Sequence, residues 1–281
     1  MRALYASPLA LVARQELTLV LRSRWTQTFA AAFALLALGV ATSGYILSGG
    51  HGVQDFARTS ASLVQLVVLI VPLAALVTGV LALAPERGTA ELLVAQPISR
   101  RTILVGKLVG LFAALSGAQM IGFGIAGIAV FSTAGDEGEA GYALLVAVAI
   151  ALTAVFLAIA AWLSAAAVGK KRTRALAFAV LVWFATVILV DLVTLGVASL
   201  LPSAPASRLL IVSVMVNPIG AARTGALLGI EGTGAFGAAS LALLRFTSGA
   251  AGAAVLLAGS LALWIAVPLG AALRRFARLD L

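Results

Sequence analysis

The sequence predicts an all-α polytopic membrane protein with six transmembrane helices. Its termini are expected to be cytoplasmic, with an N-terminal amphipathic helix and an extracytoplasmic helical segment between spans five and six. Three observations predict this. First, 62% of the 281 residues are hydrophobic and 10% are charged, with a mean hydropathy of +1.14. A soluble domain carries charge on roughly a quarter of its residues. Second, apolar runs of about the 20 residues that cross a bilayer core as a helix recur at 26–47, 61–83, 103–131, 142–168, 175–200 and 249–272. Third, the basic residues are segregated. Six spans put both termini on one side. With them fall fifteen of the nineteen Lys and Arg: Arg2, Arg14, Arg22, Arg24, Arg87, Arg100, Arg101, Lys107, Lys170, Lys171, Arg172, Arg174, Arg274, Arg275 and Arg278. Only Arg58, Arg208, Arg223 and Arg245 fall opposite. Lys and Arg collect on the cytoplasmic side of a membrane. The net charge of +9 therefore reports orientation and gives no reason to expect nucleic acid as a partner.

The elements follow in order. Residues 1–25 include LALVARQELTLVLRSRW. Leu9, Val12, Glu16 and Leu19 suit a helix lying on the membrane surface, with Arg14, Arg22 and Arg24 toward anionic lipid and Trp25 at the interface. The first apolar run follows four arginines without a small-residue cleavage site, so it reads as a retained span, not a signal peptide. The first outer loop, 48–60, holds His51, and the second, 132–141, is short and acidic. The third, 201–248, is long and only moderately polar. Its apolar run 209–216 is too short to span and stops at Asn217 and Pro218, and GIEGTG follows as a turn. Helices packed on the outer ends of the spans fit this composition. So does a re-entrant hairpin, which a membrane tolerates only when it is buried in protein. Gly106, Gly110, Gly117, Gly122, Gly124 and Gly127 in the third span, and Gly249, Gly252 and Gly259 in the sixth, suit close helix approach. Pro72 and Pro268 are candidate kinks.

The residue inventory excludes several chemistries. There is one histidine, no cysteine and three methionines, so the chain offers no His-rich or thiolate metal site and is a poor carrier of a soft metal ion. No Gly-x-x-x-x-Gly-Lys-Ser/Thr string is present, so it carries no P-loop for ATP. No catalytic residue and no bound cofactor are expected. Asp191 is the ionisable group inside a span, a functional candidate by default, with Thr186, Thr194 or a neighbouring helix as hydrogen-bond partners. Gln119 and Gln65 are uncharged polar residues suited to bonds between helices.

The connector between spans two and three is more structured than a plain loop. Residues 85–107 read PERGTAELLVAQPISRRTILVGK. Pro85 suits a first helical position and Glu86 its first turn. Arg87 and Glu91 stand four apart, while Thr89, Leu92, Leu93 and Gln96 make a mixed apolar and polar face. Pro97 stops the segment, and Ser99 is placed to cap the next helix. A short helix over 85–97 follows, either a docking element or a tidy loop without a partner.

The string ERGTAELLVAQPISRRTILVGKLVG, residues 86–110, resembles the signature region of type-2 ABC transporter permeases. Within them it is most similar to the NosY-type permeases of nitrous oxide reductase maturation. The resemblance rests on Glu86-Arg87-Gly88-Thr89, the Leu92-Leu93 pair, the Pro97 stop and Ser99-Arg100-Arg101, with an echo at 216–228, VNPIGAARTGALL. The six-span layout is similar too. The resemblance implies a non-catalytic permease that forms a homodimer in the bacterial inner membrane. Two separate ATPase subunits, holding ATP and Mg, would bind beneath it. It implies that 85–97 is a coupling helix whose Glu86, Arg87, Thr89, Glu91 and Leu92 enter a groove of the ATPase. It further implies a periplasmic accessory protein over 201–248, with Asn217 and Arg223 as contacts, and a role in copper–sulfur centre assembly by export of a sulfur species or by mechanical coupling. The apolar span faces equally suit a type-2 exporter of a drug, lipid or other amphiphile. An ion-coupled secondary transporter has Asp191 alone in its favour, against the internal repeats such transporters show.

Overall fold

An apolar run inside a membrane must close its own backbone hydrogen bonds, and these runs do so as helices. The computed structural model describes residues 7–48, 53–84, 98–134, 138–167, 172–231, 243–247 and 249–277. Helix α1, Pro8–Arg22, starts at Ser7, whose hydroxyl accepts from the Ala10 N–H at 3.3 Å, with Pro8 in the first helical position. One extended residue, Ser23, separates it from α2, Arg24–Ser48. Helices α3, Val53–Leu83, and α4, Arg100–Ala134, flank the connector. Ser99 caps α4 by accepting from the Thr102 N–H at 3.1 Å. After α5, Glu139–Ala166, the fifth span runs as α6, Arg172–Phe184, through a π-turn, Ala185–Leu189, into α7, Val190–Ala198. Helices α8, Ser203–Val216, and α9, Pro218–Glu231, meet at a bend of 100°. Helix α10, Ala250–Ala277, is the sixth span.

Six described helices are long and apolar enough to cross a membrane: Arg24–Ser43, Arg58–Leu83, Arg100–Ser132, Glu139–Ala166, Arg172–Ala198 and Ala250–Ala277. No strand occurs among the described residues. The sixth span runs five residues past its expected end at 272, through Arg274 and Arg275. Hydropathy marks where lipid ends, whereas a helix continues until its backbone bonds end. Pro72 and Pro268 both sit inside helices that continue past them.

Helices α3 and α5 form the centre, each with 61% of its apolar span buried. They approach closely because Gly79 lacks a side chain: a Cβ there would lie 2.6 Å from the Ala160 Cβ. Helix α2 packs on α4 through Phe33, which sits over Gly122 and meets Phe123 edge-on at 5.2 Å. The Tyr142 hydroxyl donates to the Phe123 carbonyl, joining α5 to α4. Helix α1 lies against the first half of α4, where Gly106 and Gly110 let its backbone approach. The remaining glycines divide. Gly127 meets the Tyr142 ring, but Gly117, Gly124 and Gly259 have no atom within 4 Å of a built Cβ. The fifth span is 6% buried and the sixth 17%, so their apolar faces are largely unpartnered within one chain.

Candidate functional site

An α-helix leaves its last carbonyls without donors. At the end of α3 those carbonyls belong to the last turn before the 85–97 connector, and basic side chains from two other helices take them. Lys107, two turns into α4, donates from Nζ to the Ala82 carbonyl at 2.9 Å. Arg172, the first residue of α6, donates to the Leu81 carbonyl. Lys107 Nζ also stands 3.4 Å from Glu16 Oε2. Glu16 lies on the α1 face turned to α4 and is 5% exposed. Thus α4 and α6 converge on the end of α3, α1 reaches the same point through Glu16, and Lys107 bridges the two helices that the connector joins.

A second polar contact lies inside the bundle. Gln119 on α4 is 1% exposed and donates from Nε2 to Thr153 Oγ1 on α5 at 2.7 Å. Thr153 in turn donates to the Ala149 carbonyl at 3.0 Å. Gln119 Oε1 is buried without a hydrogen-bond partner among the described residues.

The third cluster surrounds the bend between α8 and α9. Asn217, at the bend, is 3% exposed. Its Nδ2 donates to the Thr186 carbonyl at 2.7 Å, and its Oδ1 accepts from the Ile219 N–H at 3.1 Å, capping α9. Thr186 belongs to the π-turn, where one wider turn frees a backbone carbonyl for an outside donor. The terminal carbonyls of α8 are taken as well: Ser260 donates to Met215 O at 2.6 Å, and Trp264 Nε1 to Val216 O at 3.0 Å. Ser260 and Trp264 lie near the middle of α10, so the bend sits level with the middle of a span. Helix α8, 14 residues long, therefore enters the bundle about halfway and stops. Two side-chain pairs hold the same joint: Arg223 to Asp191 at 2.7 Å, and Thr194 to Ser213 at 3.0 Å.

The expected site residues divide accordingly. Glu86, Arg87, Thr89, Glu91 and Leu92 lie outside the described residues, as does His51. Asp191 finds Arg223, not a threonine, as its close partner. The sequence reading places Asn217 and Arg223 on an outward contact surface. In the structure the Asn217 amide is enclosed and engaged at the bend, because carbonyls exposed by a broken helix need donors within the protein, and Arg223 is paired with the Asp191 carboxylate of the fifth span. Glu16, Lys107 and Arg172 were read from sequence as surface or topology charges, and Thr186 as a partner for Asp191. One signal was available: Glu16 is the acidic residue of α1, set in line with Val12 and Val20 at four-residue spacing. Among the described residues no three His, Asp or Glu side chains converge as a metal site.

The chain matches the family of ABC-2 family transporter proteins over residues 10–281. It is similar to the "Probable ABC transporter permease protein NosY" of Pseudomonas aeruginosa, 34% identical over 276 residues, covering 93% of this chain and 94% of that one. The protein of the same name from Stutzerimonas stutzeri is 36% identical over 239 residues, covering 82% and 85%.

Proposed function

This chain belongs to the ABC-2 family of transporters and is the transmembrane permease subunit of an ABC transporter; on that premise we propose that the 85–97 connector receives the stroke of a separate ATPase subunit and that the α3 end passes it to the bundle. The observation that carries this reading is the convergence of α4 and α6 on the carbonyls of Leu81 and Ala82, directly before the connector, with α1 joined to the same point through the Glu16–Lys107 pair. A segment that only links two spans needs no such support. One that is pushed needs a stiff base, or the push is lost in bending.

The rest of the assembly follows from the family. ABC permeases act as dimers with ATPase subunits, and ATP and Mg belong to those subunits. The open apolar faces of the fifth and sixth spans leave room for a second copy or for lipid. The bias of the basic residues supports a cytoplasmic connector and cytoplasmic termini, and the family reading supports a bacterial inner membrane. The α8–α9 hairpin then approaches from the periplasmic side, where an accessory protein would meet its exposed residues. The name carried by both relatives, with the likeness of residues 86–110 to NosY-type permeases, directs the activity to nitrous oxide reductase maturation. With no cysteine and one histidine, the chain suits a sulfur species or mechanical coupling better than passage of copper.

The test is the double variant Glu86→Ala with Arg87→Ala. Co-purification of the ATPase subunit with the permease is expected to fall, along with stimulation of its ATP hydrolysis. Undiminished association and stimulation would remove 85–97 from the docking role.

A further inference from the structure

The α3 end raises the question of why a carboxylate is buried beside it. Glu16 is 5% exposed in a helix whose other charges, Arg14 and Arg22, are basic. An isolated buried carboxylate is strongly unfavourable, so its position depends on the Lys107 ammonium at 3.4 Å. The closer contact of that ammonium is elsewhere: Lys107 Nζ is 2.9 Å from the Ala82 carbonyl. The lysine thus has a counter-charge on one side and a backbone acceptor on the other. Two glycines make the arrangement reachable. Gly106 and Gly110 flank Lys107 on α4, and there the backbone of α1 comes so near that a Cβ at 110 would lie 2.5 Å from the Ala13 carbonyl oxygen. The four residues therefore act together: the two glycines admit α1, α1 brings Glu16, and Glu16 directs Lys107 onto the last turn of α3.

We infer that Glu16 is a positioning residue for coupling. It holds the Lys107 ammonium on Ala82 O, so that the two ends of the connector, in α3 and α4, are cross-linked and move as one body with α1. This rests on the reading of 85–97 as the segment that the ATPase drives. Its consequence is specific. Loss of Glu16 frees Lys107 to turn toward water, the Ala82 carbonyl loses its donor and α3 its link to α4 there, and motion of the connector bends the last turn of α3 instead of displacing the spans. The ATPase still binds, because the docking surface is untouched, but its cycle is no longer matched to the permease. A purely structural ion pair has a different consequence: it fixes α1 to α4, and any pair of opposite charges at the two positions serves.

The experiment reads two quantities on the assembled permease–ATPase complex in lipid vesicles: the thermal midpoint, and the stimulation of ATP hydrolysis over free ATPase subunits. Glu16→Gln and Lys107→Met are each expected to cut the stimulation about tenfold, the equilibrium equivalent of one charge-assisted hydrogen bond, while the ATPase still co-purifies. Lys107→Arg keeps a donor for both partners and should retain the stimulation. The exchange Glu16→Lys with Lys107→Glu restores opposite charges and should recover the thermal midpoint. It should not recover the stimulation, because a carboxylate at 107 offers Ala82 O no proton. Singles that lower the midpoint but leave the stimulation intact overturn the inference, as does an exchange variant that recovers both, or a Lys107→Arg variant that loses the stimulation. Glu86→Ala with Arg87→Ala, run in parallel, separates the two levels. If it abolishes stimulation while Glu16→Gln does not, only the role of Glu16 fails. If it has no effect, the connector reading fails and takes this inference with it.

Discussion

Replacing Gly110 by alanine adds one methyl group at the tightest point between α1 and α4. A built Cβ lies 2.5 Å from Ala13 O, 2.8 Å from Glu16 Cβ and 2.9 Å from Leu17 N. Two of those three atoms are backbone, so no side-chain rotation relieves the contact; α1 itself must retreat by roughly half to one ångström to reach ordinary van der Waals distance. Overpacking of this kind costs about 1–3 kcal/mol. The helix preference of alanine over glycine returns at most about 1 kcal/mol. The expected net effect is a loss of about 0–2 kcal/mol, or about 1–3 kcal/mol relative to alanine at an uncrowded position of the same helix, with the Glu16–Lys107 distance of 3.4 Å lengthened by the same retreat. Gly117 and Gly124 are internal controls on the same helix, since a Cβ at either meets no atom within 4 Å. Alanine there should be neutral or stabilising by up to about 1 kcal/mol. The assay is the thermal midpoint of the purified protein, with three single variants in one detergent. A Gly110→Ala variant as stable as Gly117→Ala would refute the close α1–α4 contact. A loss at Gly117 or Gly124 of the size expected at Gly110 would show that another chain covers that face.

Gln119 and Thr153 should respond unequally. Thr153→Val leaves the buried Gln119 amide without its acceptor and should cost about 1–3 kcal/mol, whereas Gln119→Leu also removes the unpartnered Oε1 and should be close to neutral by thermal midpoint. Asn217→Ala loses the α9 cap and the bond to Thr186 O together, for about 2 kcal/mol. Asn217→Asp keeps the cap acceptor but presents no amide donor to that carbonyl, so it should fall short of wild type in the same measurement. A reporter fused at Glu231 is expected on the periplasmic side, and activity of a cytoplasm-only reporter there would break the proposed orientation.

How much of this was legible in the sequence depended on whether the signal was local. Span positions follow from hydropathy, which depends on neighbouring residues, and Ser99 is recognisable as a cap from its place before Arg100 and Thr102. Side-chain partners across 25 or more residues carry no such local mark. Lys107 looked like one more basic residue at a membrane entrance, because its acceptor is a backbone carbonyl and every residue has one. The same holds for Asn217: next to proline it reads as a helix stop, which it is, but the acceptor at Thr186 depends on a π-turn that hydropathy does not register. Glycine composition was visible and its use was not. Six glycines in α4 looked alike, and only the fold separates Gly106, Gly110, Gly122 and Gly127, which face neighbours, from Gly117 and Gly124, which do not.

The two places where helices end against other helices use different donors, and the difference bears on what keeps each of them closed. At the end of α3 the donors are Lys107 and Arg172, long cationic side chains at a basic end of the bundle. Water could replace such a cation at modest cost on a surface, but Lys107 cannot turn away without leaving the buried Glu16 carboxylate unpaired. At the bend between α8 and α9 the donors are Asn217, Ser260 and Trp264, short or rigid neutral groups level with the middle of α10. Separation there would leave carbonyls without water or another donor at the depth of mid-span, at several kcal/mol each. The first joint therefore depends on the buried Glu16 carboxylate to stay closed during a cycle, while the second holds α8 and α9 to the fifth and sixth spans by neutral hydrogen bonds. Motion that enters at the connector then reaches the opposite end by displacement of whole helices, not by local rearrangement of the hairpin. Distances across the Asn217–Thr186 contact, and those between α1 and the α3 end, should accordingly both stay constant with and without nucleotide on the ATPase, whereas Glu16→Gln should let the second set change and leave the first unaltered. Spin labels placed on exposed neighbours of each pair measure both, and an α1-to-α3 distance that changes with nucleotide in the unsubstituted protein would refute the one-body arrangement.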